Sequence, residues 1–91
     1  MLALVVYDIA DTRRRTKLST LLEGYGRRVQ ESVFECFLSL EEMRRLYQRV
    51  YGYINTKEDN VRFYWITEGA MKKSMAIGSA PPEPPPSAYF F

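Results

Sequence analysis

The chain has 91 residues, a formal net charge of +2 and 14% aromatic side chains, enough apolar material for one small packed domain and too much for a disordered polypeptide. It has no histidine and one cysteine, Cys36, which excludes the usual zinc sites, a Ser-His-Asp triad, a Cys-His dyad and an intramolecular disulfide. No apolar stretch approaches about 18 residues and no signal peptide is recognisable, so the expected location is cytoplasmic, with no membrane partner.

Residues 2–9, Leu-Ala-Leu-Val-Val-Tyr-Asp-Ile, are too short a run for a buried helix and predict a central strand buried on both faces. Asp8 lies at its end. An ionised carboxylate buried there is costly unless partnered, so Asp8 either caps the following turn or coordinates a cation. Asp11 then caps a helix whose apolar positions Leu18, Leu21, Leu22 and Tyr25 share one face, ending at Gly24 or Gly26, with arginines on the other face. Residues 27–38 are rich in β-formers and predict a tight hairpin turning near Glu31 and Ser32, with Cys36 as a small core residue. Ser39 and Glu42 form a capping box, opening a second amphipathic helix through Met43, Leu46, Tyr47, Val50 and Ile54. Its Arg44, Arg45 and Arg49 read as a solvated face. A polar turn from Lys57 to Asn60 leads into a strand, 61–66, that alternates Val61, Phe63 and Trp65 against Arg62, Tyr64 and Ile66. Residues 74–78 are a candidate fifth strand at a sheet edge. The prolines from Pro81 to Pro86 stiffen a spacer before Tyr89, Phe90 and Phe91, which form either a docking segment or a frayed end.

The order β-α-β-β-α-β is that of an α+β, ferredoxin-like fold, a sheet with both helices on one face and an extra C-terminal strand. The expected division is a ferredoxin-like domain over residues 1–78 and a proline-rich tail over 79–91 with a short apolar docking segment. A sheet face left bare in so small a domain is best covered by the same face of a second copy, which predicts a homodimer.

Arg13, Arg14, Arg15, Lys17, Arg27 and Arg28 fall within 16 positions holding one acid, Glu23. A field of this kind suits phosphate backbones and marks these six as candidate nucleic-acid-binding residues, with no base-reading constellation beside them; a solvated helix face is the plainer alternative.

Taken together, Val6-Tyr7-Asp8-Ile9 closing the first strand, the basic helix after Asp11, the segment Arg28-Val29-Gln30-Glu31-Ser32-Val33-Phe34-Glu35, the helix after Ser39 and the strand 61–66 resemble the small CRISPR-associated family called Cas-two over nearly the whole chain. The proline-rich stretch before a short apolar end is also similar to many members. The resemblance implies a homodimeric ferredoxin-like protein of the CRISPR adaptation machinery that bridges copies of the integrase Cas-one during spacer insertion. It further implies, for some members, metal-dependent cleavage of RNA or DNA phosphodiesters. By position it makes Asp8 the metal-binding aspartate at the dimer interface and places Tyr7, Arg15, Arg28 and Phe34, with Asp8, among the residues tied to catalysis. Lys17 stands where some relatives carry arginine, which keeps the charge and loses the bidentate fork. Tyr7 and Phe34, as strand aromatics, are of a kind that more often packs a core or an interface than takes part in catalysis, and Ser32 of a kind that more often serves as a turn hydroxyl.

One carboxylate per chain cannot hold a metal alone, but a two-fold axis near the end of the first strand would pair two copies of Asp8. Carboxylate and water ligands select a hard cation, Mg2+ or Mn2+, which would activate a water and polarise the scissile phosphate while Arg15, Arg28 and, as a further candidate, Lys17 position the nucleic-acid backbone and offset developing charge. Two functions follow, a metal-dependent endonuclease or a non-catalytic adaptor that holds DNA and docks integrase dimers. A toxin-like ribonuclease on the same fold is a third.

Overall fold

A computed structural model describes residues 1–78 of the chain; the tail from 79 to 91, with its proposed docking segment, lies outside the described residues. The elements run β1 (Leu2–Asp8), α1 (Thr12–Glu23), β2 (Arg27–Gln30), β3 (Val33–Phe37), α2 (Leu40–Tyr51), β4 (Asn60–Ile66) and α3 (Glu68–Lys73). The four strands form one antiparallel sheet in the order β2-β3-β1-β4, which is the ferredoxin-like arrangement expected from the element order.

β1 is central, as its apolar run predicts, yet its two faces differ. Ala3, Val5 and Tyr7 are buried under the helices, together with Phe34 and Cys36 of β3. The alternate positions Leu4 and Val6 are half-buried and Asp8 is exposed, because among the described residues only the segment around Met71 to Ala76 lies against that side of the sheet. The core closes with Leu18, Leu21 and Leu22 of α1 and Leu46 and Val50 of α2, the positions the helical spacing selected.

Local signals account for the helix ends. The Asp11 carboxylate accepts a hydrogen bond from the Arg14 amide at 2.9 Å, and Gly24 closes α1. In the Ser39 box the Glu42 amide donates to Ser39 Oγ at 3.1 Å and the Ser39 amide to Glu42 Oε1 at 3.0 Å. α2 stops at Gly52, so Ile54 is not helical as expected; it still packs on the core from the following turn. The hairpin turns at Glu31 and Ser32, with a register shift between Arg28 and Gln30.

Gly26, between α1 and β2, is dictated by space. A Cβ there would sit 2.2 Å from the Glu35 carbonyl oxygen and 2.7 Å from Cys36 Sγ, a backbone approach that no side chain can enter.

The expected fifth strand is corrected. Residues 74–78 adopt no strand, and Met75 and Ile77 are exposed. In their place a third helix, not anticipated, follows β4: Thr67 Oγ1 accepts from the Ala70 amide at 3.2 Å, Glu68 lies in the first turn, and Lys72 and Lys73 in the last, each charge suited to the helix dipole.

Candidate functional site at the end of the first strand

Asp8 is the last residue of β1, on the sheet face away from the helices. It is exposed, and its carboxylate has no hydrogen-bond partner among the described residues, so of the two readings open to it the capping role falls: Asp11 caps α1 instead. The premise of a buried carboxylate is corrected for the single chain. Across the strand pair Asp8 faces Asn60, and the next position on the same face of β4 is Arg62. Arg62 Nε donates to Asn60 Oδ1 at 3.3 Å and its guanidinium reaches Tyr64 Oη at 3.5 Å. Arg62 thus joins the Asp8 end of the open face. Strand alternation placed it opposite Phe63, but only the register, which the sequence does not display, sets it beside Asp8.

The backbone that carries Asp8 is held from three sides. The Tyr7 amide donates to the Ser32 carbonyl at 3.0 Å, Arg15 donates to the Ile9 carbonyl from NH2 at 3.0 Å and from Nε at 3.3 Å, and the Ala10 amide donates to Asp59 Oδ1 at 3.0 Å. Consecutive residues on both sides of Asp8 are therefore fixed, which orients the carboxylate without touching it.

Asp59, unremarked in the sequence, is the centre of this anchoring. Its side chain is 0% exposed, and it accepts from the Asn55 amide at 2.8 Å and from Arg14 Nε at 2.8 Å as well as from Ala10. The Arg14 guanidinium, with the Asn55 and Ala10 amides, overrides the cost of burial and holds the Asp59 carboxyl down to about 2.

The remaining candidates divide. Tyr7, Phe34 and Arg28 meet on the helix side of the sheet, opposite Asp8: the Tyr7 and Phe34 rings stack at 6.3 Å, Arg28 lies over the Phe34 ring at 5.2 Å, and the Glu31 carbonyl accepts from both Tyr7 Oη at 3.1 Å and Arg28 NH1 at 2.8 Å. Burial raises the Tyr7 hydroxyl above its ordinary range, with Arg28 pulling against that shift. This cluster pins the β2–β3 turn to β1, and Arg15 reaches β1 from α1.

The six cations read as one field are spread over several partners. Arg14 is committed to Asp59 and, at 2.8 Å, Glu58; Arg27 lies 3.7 Å from Glu35 on the open face; Arg28 lies 3.7 Å from Glu23. Arg13 and Lys17, both exposed, make no ion pair among the described residues. Cys36 is buried, and desolvation, then Glu35, push its thiol up to about 12, so it is an inert core group.

No cluster of three or more metal-ligating side chains occurs among the described residues. At the end of β1 the structure offers one carboxylate, Asp8, a donor type that suits hard cations over soft ones.

A four-stranded antiparallel sheet with helices on one face, and a lone carboxylate presented at the end of its central strand on the other, defines a ferredoxin-like α+β protein with a candidate site on the bare face. The family model for "CRISPR associated protein Cas2" matches residues 1–74, and the chain belongs to this family. It is 41% identical over 87 residues to a protein of Synechocystis named CRISPR-associated endoribonuclease Cas2 3, covering 96% of this chain and 95% of the relative. A Chloroflexus aurantiacus protein named CRISPR-associated endoribonuclease Cas2 1 is 43% identical, covering 90% and 89%. Among solved structures, Cas2 of Streptococcus pyogenes aligns with a TM-score of 0.74 at 31% identity, covering 86% of this chain and 100% of that one. A chain of a partial Cas6-RT-Cas1–Cas2 complex aligns at 0.69 with 40% identity, covering 84% and 89%. No helix among the described residues is long and apolar enough to cross a membrane.

Proposed function

We propose that this CRISPR protein is a homodimeric, Mg2+-dependent endonuclease of RNA or DNA phosphodiesters that takes part in spacer integration with the integrase Cas1. The observation that carries the reading is Asp8: exposed, unpartnered among the described residues and rigidly anchored, in a chain whose relatives are named endoribonucleases.

The homodimer is supported by the bare sheet face. Leu4, Val6, Val33, Phe37 and Ile66 are only half-buried there, Tyr64 is exposed, and Glu35 is 8% exposed with an Oε1 that accepts no hydrogen bond, Arg27 at 3.7 Å being an ion-pair contact alone. A second copy laid on this face would cover the apolar residues and bring donors to Glu35. Asp8 of each copy would then hold the Mg2+, with Mn2+ as a substitute. Bound there, the ion would lower the pKa of a water and polarise the phosphate. Arg15 acts through the Ile9 carbonyl and Tyr7, Arg28 and Phe34 through the β2–β3 turn, so these four position Asp8, and Arg62 is the nearest candidate to offset charge on the same face. Of the six basic residues in the 13–28 cluster, Arg13 and Lys17 are exposed and make no ion pair among the described residues, and these would draw nucleic acid.

The test is cleavage of RNA and duplex DNA, side by side, by wild type and Asp8→Ala with Mg2+, together with light scattering, which should give about twice 10.7 kDa. Equal cleavage by the variant, or a monomer at micromolar concentration, removes the mechanism. A second reading, a non-catalytic adaptor that docks integrase through the tail 79–91, is favoured by the similarity to a chain of a Cas1–Cas2 complex. It requires that neither substrate is cut while integrase association persists.

A further inference from the structure

On the opposite side of the molecule from Asp8, α1 and α2 leave an open groove of about 950 Å³ lined by Arg14, Lys17, Tyr25, Arg49 and Tyr53, with Thr16, Thr20, Leu21, Gly24 and Gly52 completing it. Among the described residues no carboxylate lines it. Arg14 is satisfied by Asp59 and Glu58, but Lys17 makes no ion pair among the described residues, and Arg49 is exposed. Arg49 is not the freely solvated residue its helix position suggested. NH1 donates to Tyr25 Oη at 2.8 Å, and the guanidinium lies over the Tyr25 ring at 5.6 Å from its centre. Tyr25 itself packs on the core, so this guanidinium is held on a fixed aromatic base, and Tyr53 presents a second, 36% exposed ring close by.

We propose that this groove binds a short stretch of single-stranded nucleic acid, phosphates toward Lys17, Thr16, Thr20 and Arg49, and a base against Tyr53. The volume is at the upper end of the range for small-molecule sites, nucleotide-sized rather than ion-sized. Cations and hydroxyls without acids select an anionic ligand over a basic peptide face, and the accessible aromatic rings beside them favour a phosphodiester with unstacked bases over a duplex. The proposal extends the nucleic-acid reading above to the helix side of the sheet, the face away from the Asp8 side chain, where substrate would be held and not cut.

Binding is measured by fluorescence anisotropy on the full-length Asp8→Ala protein with a labelled single-stranded oligoribonucleotide, so that no hydrolysis intervenes. Arg49→Ala and Tyr53→Ala should each weaken binding roughly tenfold, and Arg49→Ala should also reduce the salt slope by about 0.7, the share of a single neutralised phosphate on a single strand. Tyr25→Phe, which keeps the packed ring and frees Arg49, should weaken binding a few-fold. The same oligomer as a duplex should compete at least tenfold less well. In protein with Asp8 intact, the substitutions should raise KM and leave kcat unchanged. Unaltered affinity and slope in both alanine variants, with circular dichroism unchanged, overturn the proposal, as does equal competition by duplex. Failure of wild type to cleave would sink the nuclease reading alone, since the anisotropy measurements do not depend on it.

Discussion

Asp59→Asn is the substitution whose cost the structure allows to be worked out. The carboxylate is fully covered and takes hydrogen bonds from two backbone amides, Ala10 and Asn55, and from the Arg14 guanidinium. An asparagine of the same shape keeps one acceptor oxygen and turns an NH2 group toward a donor, leaving one buried amide unpaired and Arg14 without its counter-charge. One lost bond to a charged acceptor in a buried place costs about 2–3 kcal/mol, and truncation to alanine, which abandons all of them, about 3–5 kcal/mol. For a domain of this size the asparagine variant should melt roughly 8–20 °C lower. Since a dimer's melting depends on concentration, wild type and variant are compared by calorimetry at one protein concentration. The pH dependence gives a second check. Asp59 titrates at about 2 in the fold, below its ordinary value of 3.8, so the stability it supplies is complete above about pH 4 and is lost as the pH falls toward 2. The difference between wild type and Asp59→Asn should therefore shrink across that window. A loss below about 0.5 kcal/mol at pH 7, typical of a surface site, or a difference that stays constant from pH 4 to 2, would refute the reasoning.

Asp8→Ala and Asp8→Asn should both abolish Mg2+-dependent cleavage in a gel assay while thermal melting stays within about 1 kcal/mol of wild type, because the side chain makes no hydrogen bond or ion pair among the described residues. Gly26→Ala forces a methyl into the Glu35 carbonyl; by chemical denaturation it should cost about 2 kcal/mol or more, and a neutral result would mean that β2 can move away from β3 freely. Ser39→Ala removes one half of the capping box on α2 and should cost about 1 kcal/mol by the same measurement. Arg15→Ala should lower kcat more than it raises KM, since it frees the Ile9 carbonyl behind Asp8 without removing a group that binds phosphate; a pure KM effect would assign Arg15 to substrate binding instead.

Local chemistry made most of the fold legible. Helix starts were written in Asp11, in Ser39 with Glu42 and, unread, in Thr67; strands were written in alternation, because a side chain's effect on its own backbone and on its nearest turn needs no tertiary information. The short apolar stretch Ser-Met-Ala-Ile-Gly misled for the opposite reason. Its β-forming character competes with a strong helix signal immediately upstream, and an edge strand needs a free ladder in register, which no composition reveals.

The site followed the same division. Asp8 stood out because a carboxylate closing an apolar strand is conspicuous in any register, whereas Arg62 and Asp59 did not, since each owes its place to residues about 50 positions away, β1 for the one and the Ala10–Arg14 corner for the other. A run of like charges was the least reliable signal of all. In sequence Arg14 looked like a member of a phosphate-binding field, but a nearby acid at the right height captured it, while Arg49, which looked merely solvated, lies on a tyrosine over an acid-free groove. Charge density along the chain measures how many cations are available; only the fold decides which are already paired, and among the described residues Arg62, on the face of Asp8, and Lys17, on the helices behind it, are two that make no ion pair.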